Sequence, residues 1–149
     1  MTEKDAFDLQ DFLPYLLNQA AEESSLAFQQ VYKRRYGMLR TEWRVLFHLG
    51  IYGRLSAGEI GARAKIHKTK ISRAVARLEA RRFLSRQRDP ADRRREVLEL
   101  TTQGEAAYRD LRGVAREYDA SLAARFAPEE VALLRRMLHR LSRPGAAEG

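Results

Sequence analysis

Residues 56–104 read SAGEIGARAKIHKTKISRAVARLEARRFLSRQRDPADRRREVLELTTQG, and this stretch decides the fold. Ser56 and Glu59 have the spacing of a capping box, in which the serine oxygen and the glutamate carboxylate satisfy free amides at a helix start. A short helix therefore runs from about Ala57 to Ala64. After a break at Lys65-Ile66, a second helix is predicted from about His67 to Arg81, with Ile71, Val75 and Leu78 inward and Lys68, Lys70, Arg73 and Arg77 among the outward positions. Two helices joined by a tight turn, the second apolar on one face and cationic on the other, make a helix-turn-helix whose second helix suits the DNA major groove.

The residues that follow change in kind. Phe83-Leu84 leads into Ser85 to Arg88, Asp89-Pro90-Ala91-Asp92 supplies turn chemistry, and Arg95 to Leu100 carries Val97, Leu98 and Leu100. That is a β-hairpin, rich in Arg86, Arg88, Arg93, Arg94 and Arg95. A hairpin at the end of a recognition helix is a wing, and its arginines can reach phosphates or a narrow minor groove. In a regular strand, Arg93 and Arg95 would share a face and Arg94 would oppose them.

Outward from this module the chain is helical. Leu9, Phe12, Leu13, Leu16, Leu17, Ala20, Phe28, Val31 and Tyr32 form a stripe running almost to Gly37, with the helix starting or kinking at Pro14. Thr41 is the expected N-cap of a second helix through Trp43, Val45, Leu46 and Leu49, stopped by Gly50 and Tyr52-Gly53. Beyond Thr101, another expected N-cap, a long helix reaches about Ala124. Pro128 with Glu129 and Glu130 then starts a last helix bearing Val131, Leu134, Leu138 and Leu141, which Pro144-Gly145 should end.

Composition agrees. The 149 residues hold 28 Lys and Arg against 20 Asp and Glu, and 44% of them are hydrophobic, enough to bury a core. From Arg40 to Leu100 there are 16 basic and 7 acidic residues, a net of +9 that leaves −1 for the rest. A basic segment between near-neutral ones suits a polyanion partner, because neutralised phosphates release their counterions. The absence of cysteine excludes disulfides, thiolate metal sites, a cysteine nucleophile and thiol oxidation sensing, and three scattered histidines argue against a metal enzyme. No nucleophile-base pair or phosphate loop is present, so neither an enzyme nor a cofactor is expected. With no apolar run near the roughly 20 residues that span a bilayer, and with an acidic N-terminal stretch, a cytoplasmic protein is expected.

The stretch Asp92-Arg93-Arg94-Arg95-Glu96-Val97-Leu98-Glu99-Leu100-Thr101-Thr102-Gln103-Gly104 resembles the Asp-x-Arg wing and Leu-Thr-x-x-Gly of the MarR (multiple antibiotic resistance regulator) winged-helix transcription factors. Ser72-Arg73-x-Val75-x-x-Leu78-Glu79 resembles their recognition helix, and the order of elements matches over nearly the entire chain. The resemblance implies a single unit over 1–149, mainly α with a small β-hairpin wing. Within it, 8–36 and 102–143 would be dimerisation helices and 40–101 the winged helix-turn-helix lobe. It also implies a homodimer, repression from a pseudo-palindromic operator, and release by a small aromatic or phenolic ligand. One departure is Arg82, where the family has glycine after the recognition helix. Either the helix exit differs, or Arg82 accepts a left-handed backbone at a cost of about 1 kcal/mol.

The candidate DNA contacts are Lys68, Thr69, Lys70, Ser72, Arg73 and Arg77 on the helix and Arg88, Arg93, Arg94 and Arg95 on the wing. By the resemblance, Asp92 orients Arg94 rather than touching DNA. The residues that could line the ligand pocket are Phe12, Tyr15, Phe28, Tyr32, Trp43, Phe47 and His48. The competing reading, a winged-helix protein-interaction module, would need an apolar patch where the recognition helix carries Lys68, Lys70, Arg73 and Arg77.

Overall fold

The computed structural model describes residues 6–143. After a 3-10 turn at Leu9–Asp11 come helices α1 (Leu13–Tyr36), α2 (Arg40–Tyr52), α3 (Ala57–Ala64) and α4 (Lys68–Ala80). Strands β1 (Leu84–Arg88) and β2 (Glu96–Leu100) follow, then α5 (Thr102–Ala123) and α6 (Pro128–Ser142). This is the mainly helical winged-helix architecture expected from the sequence. Pro144 and Gly145, expected to end the last helix, lie outside the described residues.

The chain divides into two compact units at Arg112 and Gly113, within α5. The core of the first unit is apolar: Val45, Leu46 and Leu49 from α2, Ile60 from α3, Ile71, Val75 and Leu78 from α4, Val97 and Leu98 from β2, and Leu111 from α5 are all buried. The β1–β2 hairpin is antiparallel, with Leu84 opposite Leu100 and Arg88 opposite Glu96. Leu55, just before α3, exchanges backbone hydrogen bonds with Leu98, so the foot of the wing is tied to the entry of the helix-turn-helix.

Local chemistry explains the boundaries. The capping box forms as predicted: Ser56 Oγ accepts from the Glu59 amide and Glu59 Oε1 accepts from the Ser56 amide, both at 3.1 Å. The α1 helix begins at Leu13 with Pro14 in its first turn, where a missing N–H costs nothing. Two expectations for α2 need correction. Its N-cap is Leu39, with Thr41 already inside the helix, and Gly50 does not stop it. Position 50 takes glycine because Tyr108 packs there: a Cβ would lie 2.5 Å from the tyrosine ring. Glycine here marks a close approach by α5, and periodicity within α2 contains no trace of that neighbour.

The Leu-Thr-x-x-Gly run has an equally concrete cause. Thr101 Oγ1 accepts from the Gly104 amide at 3.0 Å, capping α5, and donates to the Arg82 carbonyl at 2.6 Å. A Cβ on Gly104 would stand 1.9 Å from the Phe83 carbonyl oxygen. The first turn of α5 is thus seated on the exit of α4, and Arg82, at φ +66°, takes the left-handed backbone that the family fills with glycine.

In the second unit α6 starts at Pro128, and Glu130 Oε1 accepts from the Ala127 amide at 2.9 Å. Arg135 pairs with Asp119 of α5 at 2.8 Å. No residue of α6 is buried, and Leu133, Leu134, Met137, Leu138 and Leu141 are between 41% and 57% exposed.

Candidate nucleic-acid interface

His67 caps α4, its Nδ1 accepting from the Thr69 amide at 3.1 Å. From that start the helix turns Ile71, Ala74, Val75 and Leu78 into the core. Lys68, Thr69, Lys70, Ser72, Arg73 and Arg77 are left on the exposed face. All six helix residues singled out in the sequence therefore share one solvent-facing surface, whose four cations have no carboxylate among them. Among the described residues, five of them have no ion-pair partner. The sixth, Arg77, is half exposed and donates through Nε to Glu42 Oε2 at 2.9 Å.

The wing sorts its arginines into two kinds. Arg86 lies mid-strand, opposite Leu98, and is spent on two carboxylates: Nε on Glu79 of α4 at 2.9 Å and Nη1 on Glu96 at 3.0 Å. These bonds, that to Glu79 foremost, hold its pKa above the ordinary guanidinium value. Arg95 pairs with Asp89 at 3.1 Å and also with Glu59 of α3. The wing is thus clipped to α4 on one side and to α3 on the other. Arg88, Arg93 and Arg94 make no carboxylate contact of that quality. Arg88 reaches the Arg93 carbonyl at 3.4 Å, and the Arg94 side chain is 99% exposed with its Nε 4.0 Å from Asp92.

Because β2 begins at Glu96, residues 89–95 form a loop, and the two-residue alternation expected for Arg93 to Arg95 does not apply. The loop is built instead from side-chain turns. Asp89 Oδ1 accepts from the Ala91 amide at 2.9 Å, and Asp92 Oδ1 accepts from the Arg94 amide at 3.1 Å. Asp92 therefore acts on Arg94 through the backbone, which sets where the exposed guanidinium is launched.

The seven residues considered for a ligand pocket do not all meet. Phe28, Tyr32, Trp43 and Phe47 form one cluster, with Trp43 5.2 Å from Phe28 and 5.1 Å from Phe47, edge to face. Tyr108, which the sequence reading overlooked, joins it 5.2 Å from Phe47. Burial pushes the Tyr32 phenol above its usual pKa, with the Arg40 charge pulling the other way. Phe12 instead packs on Phe7, Tyr15 accepts from Gln19, and His48 lies beside Tyr52 with its Nδ1 donating to the Arg44 carbonyl. Among the described residues there is no cluster of His, Asp and Glu suited to a metal ion, and no helix is long and apolar enough to cross a membrane.

A cationic helix behind a short capped helix, with an arginine-bearing hairpin tied to both, makes a winged helix-turn-helix. Residues 36–95, which cover most of the winged-helix lobe, match the sequence model of the MarR family. The chain is 27% identical over 110 residues to the uncharacterized HTH-type transcriptional regulator YcgE of Bacillus subtilis, covering 74% of this chain and 71% of that protein. Among solved structures it is similar to BpsR of Bordetella bronchiseptica, with a TM-score of 0.83 and 24% identity over 93% of this chain and 98% of the other. A MarR mutant from E. coli, solved with operator DNA, superposes with a TM-score of 0.81 at 19% identity, over 94% of this chain and 100% of the other. The family and these relatives are transcriptional regulators, not enzymes.

Proposed function

We propose that this chain is a sequence-specific, double-stranded DNA-binding repressor that acts as a homodimer on a pseudo-palindromic operator in the cytoplasm and is released by a small aromatic or phenolic effector. The observation that carries the reading is the shared surface of α4, where Lys68, Lys70, Arg73 and Arg77 face solvent beside Thr69 and Ser72, with Arg88, Arg93 and Arg94 exposed on the neighbouring wing. Lysines and hydroxyls there position the protein on phosphates, whereas Arg73 can read guanine O6 and N7, a contact worth about 1 to 3 kcal/mol of base discrimination.

The homodimer is supported by surface that one chain leaves uncovered. The apolar stripe of α6 and Leu9, Phe12, Leu13, Leu16 and Leu17 around the start of α1 are all exposed. Exposed apolar stripes of this kind mark interaction sites, and isologous pairing is their commonest use. A two-fold dimer would place two recognition helices about 34 Å apart, on half-sites about ten base pairs apart.

Effector control would act at Phe28, Tyr32, Trp43, Phe47 and Tyr108, the aromatic residues that the fold brings together edge to face. The similar BpsR is described as having its DNA binding regulated by 6-hydroxynicotinic acid. An effector would act by favouring a dimer with altered lobe spacing, to the extent of its differential affinity for the two forms. The test is an electrophoretic mobility shift on the region upstream of the protein's own gene. A salt-sensitive, sequence-selective shift is expected, and its absence overturns the reading.

A further inference from the structure

Glu42 is the one buried charged residue of the described core, with its side chain only 1% exposed. A carboxylate so placed is stable only if paired, and its partner is Arg77, which reaches it from the recognition helix at 2.9 Å. The pairing is one-armed. Arg77 uses Nε alone, and Glu42 Oε1 has no hydrogen-bond partner among the described residues. Of the five guanidinium donors, the four on the Nη atoms therefore stay unspent, on a side chain that is 53% exposed on the same face of α4 as Arg73.

We propose that Glu42 is a positioning residue for DNA recognition: from within α2 it anchors Arg77 by Nε so that the Nη donors are already aimed at a backbone phosphate before DNA arrives. This rests on the DNA-binding reading above and adds to it a residue that itself touches no DNA. A free arginine must give up rotamer freedom to make such a contact, and an anchored one has already done so. The anchor also lies where the DNA cannot compete for it, because Glu42 is sealed in the core.

The test is anisotropy titration of operator DNA over a range of salt concentrations, with wild type, Glu42→Met, Glu42→Gln and the double variant Glu42→Met/Arg77→Met. Methionine fills the buried site without a charge, and the released Arg77 can hydrate, so the fold is kept. Arg77→Met alone is avoided because it would strand a buried carboxylate. Positioning predicts that Glu42→Met binds operator about tenfold more weakly with the wild-type salt slope, since the phosphate contact is still made. Glu42→Gln, whose amide oxygen can accept from Nε, restores affinity to within about threefold of wild type. The double variant lowers the salt slope by about 0.9, the value of one lost phosphate contact. The proposal is overturned if Glu42→Met binds as wild type does, or if the double variant keeps the wild-type slope. If wild type itself makes no selective complex, the DNA-binding reading falls first, and the same titration shows it.

Discussion

Arg82→Gly should stabilise the protein. Arg82 sits at φ +66°, where a side-chain-bearing residue pays roughly 1 to 2 kcal/mol for the crowding of its Cβ. Its backbone position is fixed from both sides: the Arg82 amide donates to the Glu79 carbonyl at 2.9 Å, and the Arg82 carbonyl accepts from Thr101 Oγ1 at 2.6 Å. Neither bond needs the side chain, so glycine inherits both and sheds the crowding. Against this stands the greater freedom of glycine in the unfolded chain, worth roughly 0.5 to 1 kcal/mol. The net is a gain of about 0.5 to 1 kcal/mol, or about 1 to 4 °C in Tm for a chain of this length. Arg82→Ala is the control, because it removes the charge beside Arg81 while keeping the Cβ. Thermal unfolding followed by circular dichroism, at a single protein concentration because the proposed dimer would melt in a concentration-dependent way, measures the difference. Glycine should exceed alanine. A glycine variant that melts at or below the alanine variant would refute the strain argument and the account of how α4 hands over to the wing.

Gly104→Ala should destabilise severely, by more than about 2 kcal/mol, since the new Cβ would overlap the Phe83 carbonyl oxygen, and urea unfolding would show it. Arg88→Ala, Arg93→Ala and Arg94→Ala should each cut the salt slope of operator binding by up to about 0.9, whereas Arg95→Ala should leave the slope near wild type and make the loop at 89–95 more open to proteolysis. Leu134→Glu with Leu138→Glu should yield monomers in sedimentation, because the α6 stripe would then repel its copy. The Tyr36 hydroxyl donates to Asp110 at 2.6 Å, and burial with that bond pushes its pKa to about 12. The folded chain then holds a proton that the unfolded chain loses near pH 10, so this contribution is complete below pH 10 and is lost as pH rises through 12. Tyr36→Phe should flatten that alkaline decline in a urea titration.

What could be read from the sequence was local chemistry. The Ser56 and Glu59 box, Pro14, Pro128 and the Thr101 cap each act within one turn of chain, and each stands where the residues indicate. Arg82 could be flagged because a missing glycine is visible as such, and its positive φ decides between the two alternatives. The features that escaped all depend on residues distant in sequence. Gly50 looks like a terminator until Tyr108 is set against it, and Trp43 and Phe47 gain Tyr108 as a neighbour only when α5 packs. Nothing near Arg95 in sequence hints at its pairing with Glu59. Glu42 stands in the first turn of α2, where an acid is ordinary, and only its burial against Arg77, 35 positions on, reveals an anchored charge.

The central claim is that two copies of this surface grip one face of a duplex. Hydroxyl-radical footprinting on the bound operator tests it most directly, because it maps protected sugars along both strands. Two symmetric patches about ten base pairs apart, centred on a pseudo-palindrome, are predicted. A single unpaired patch, or uniform protection independent of sequence, would contradict it.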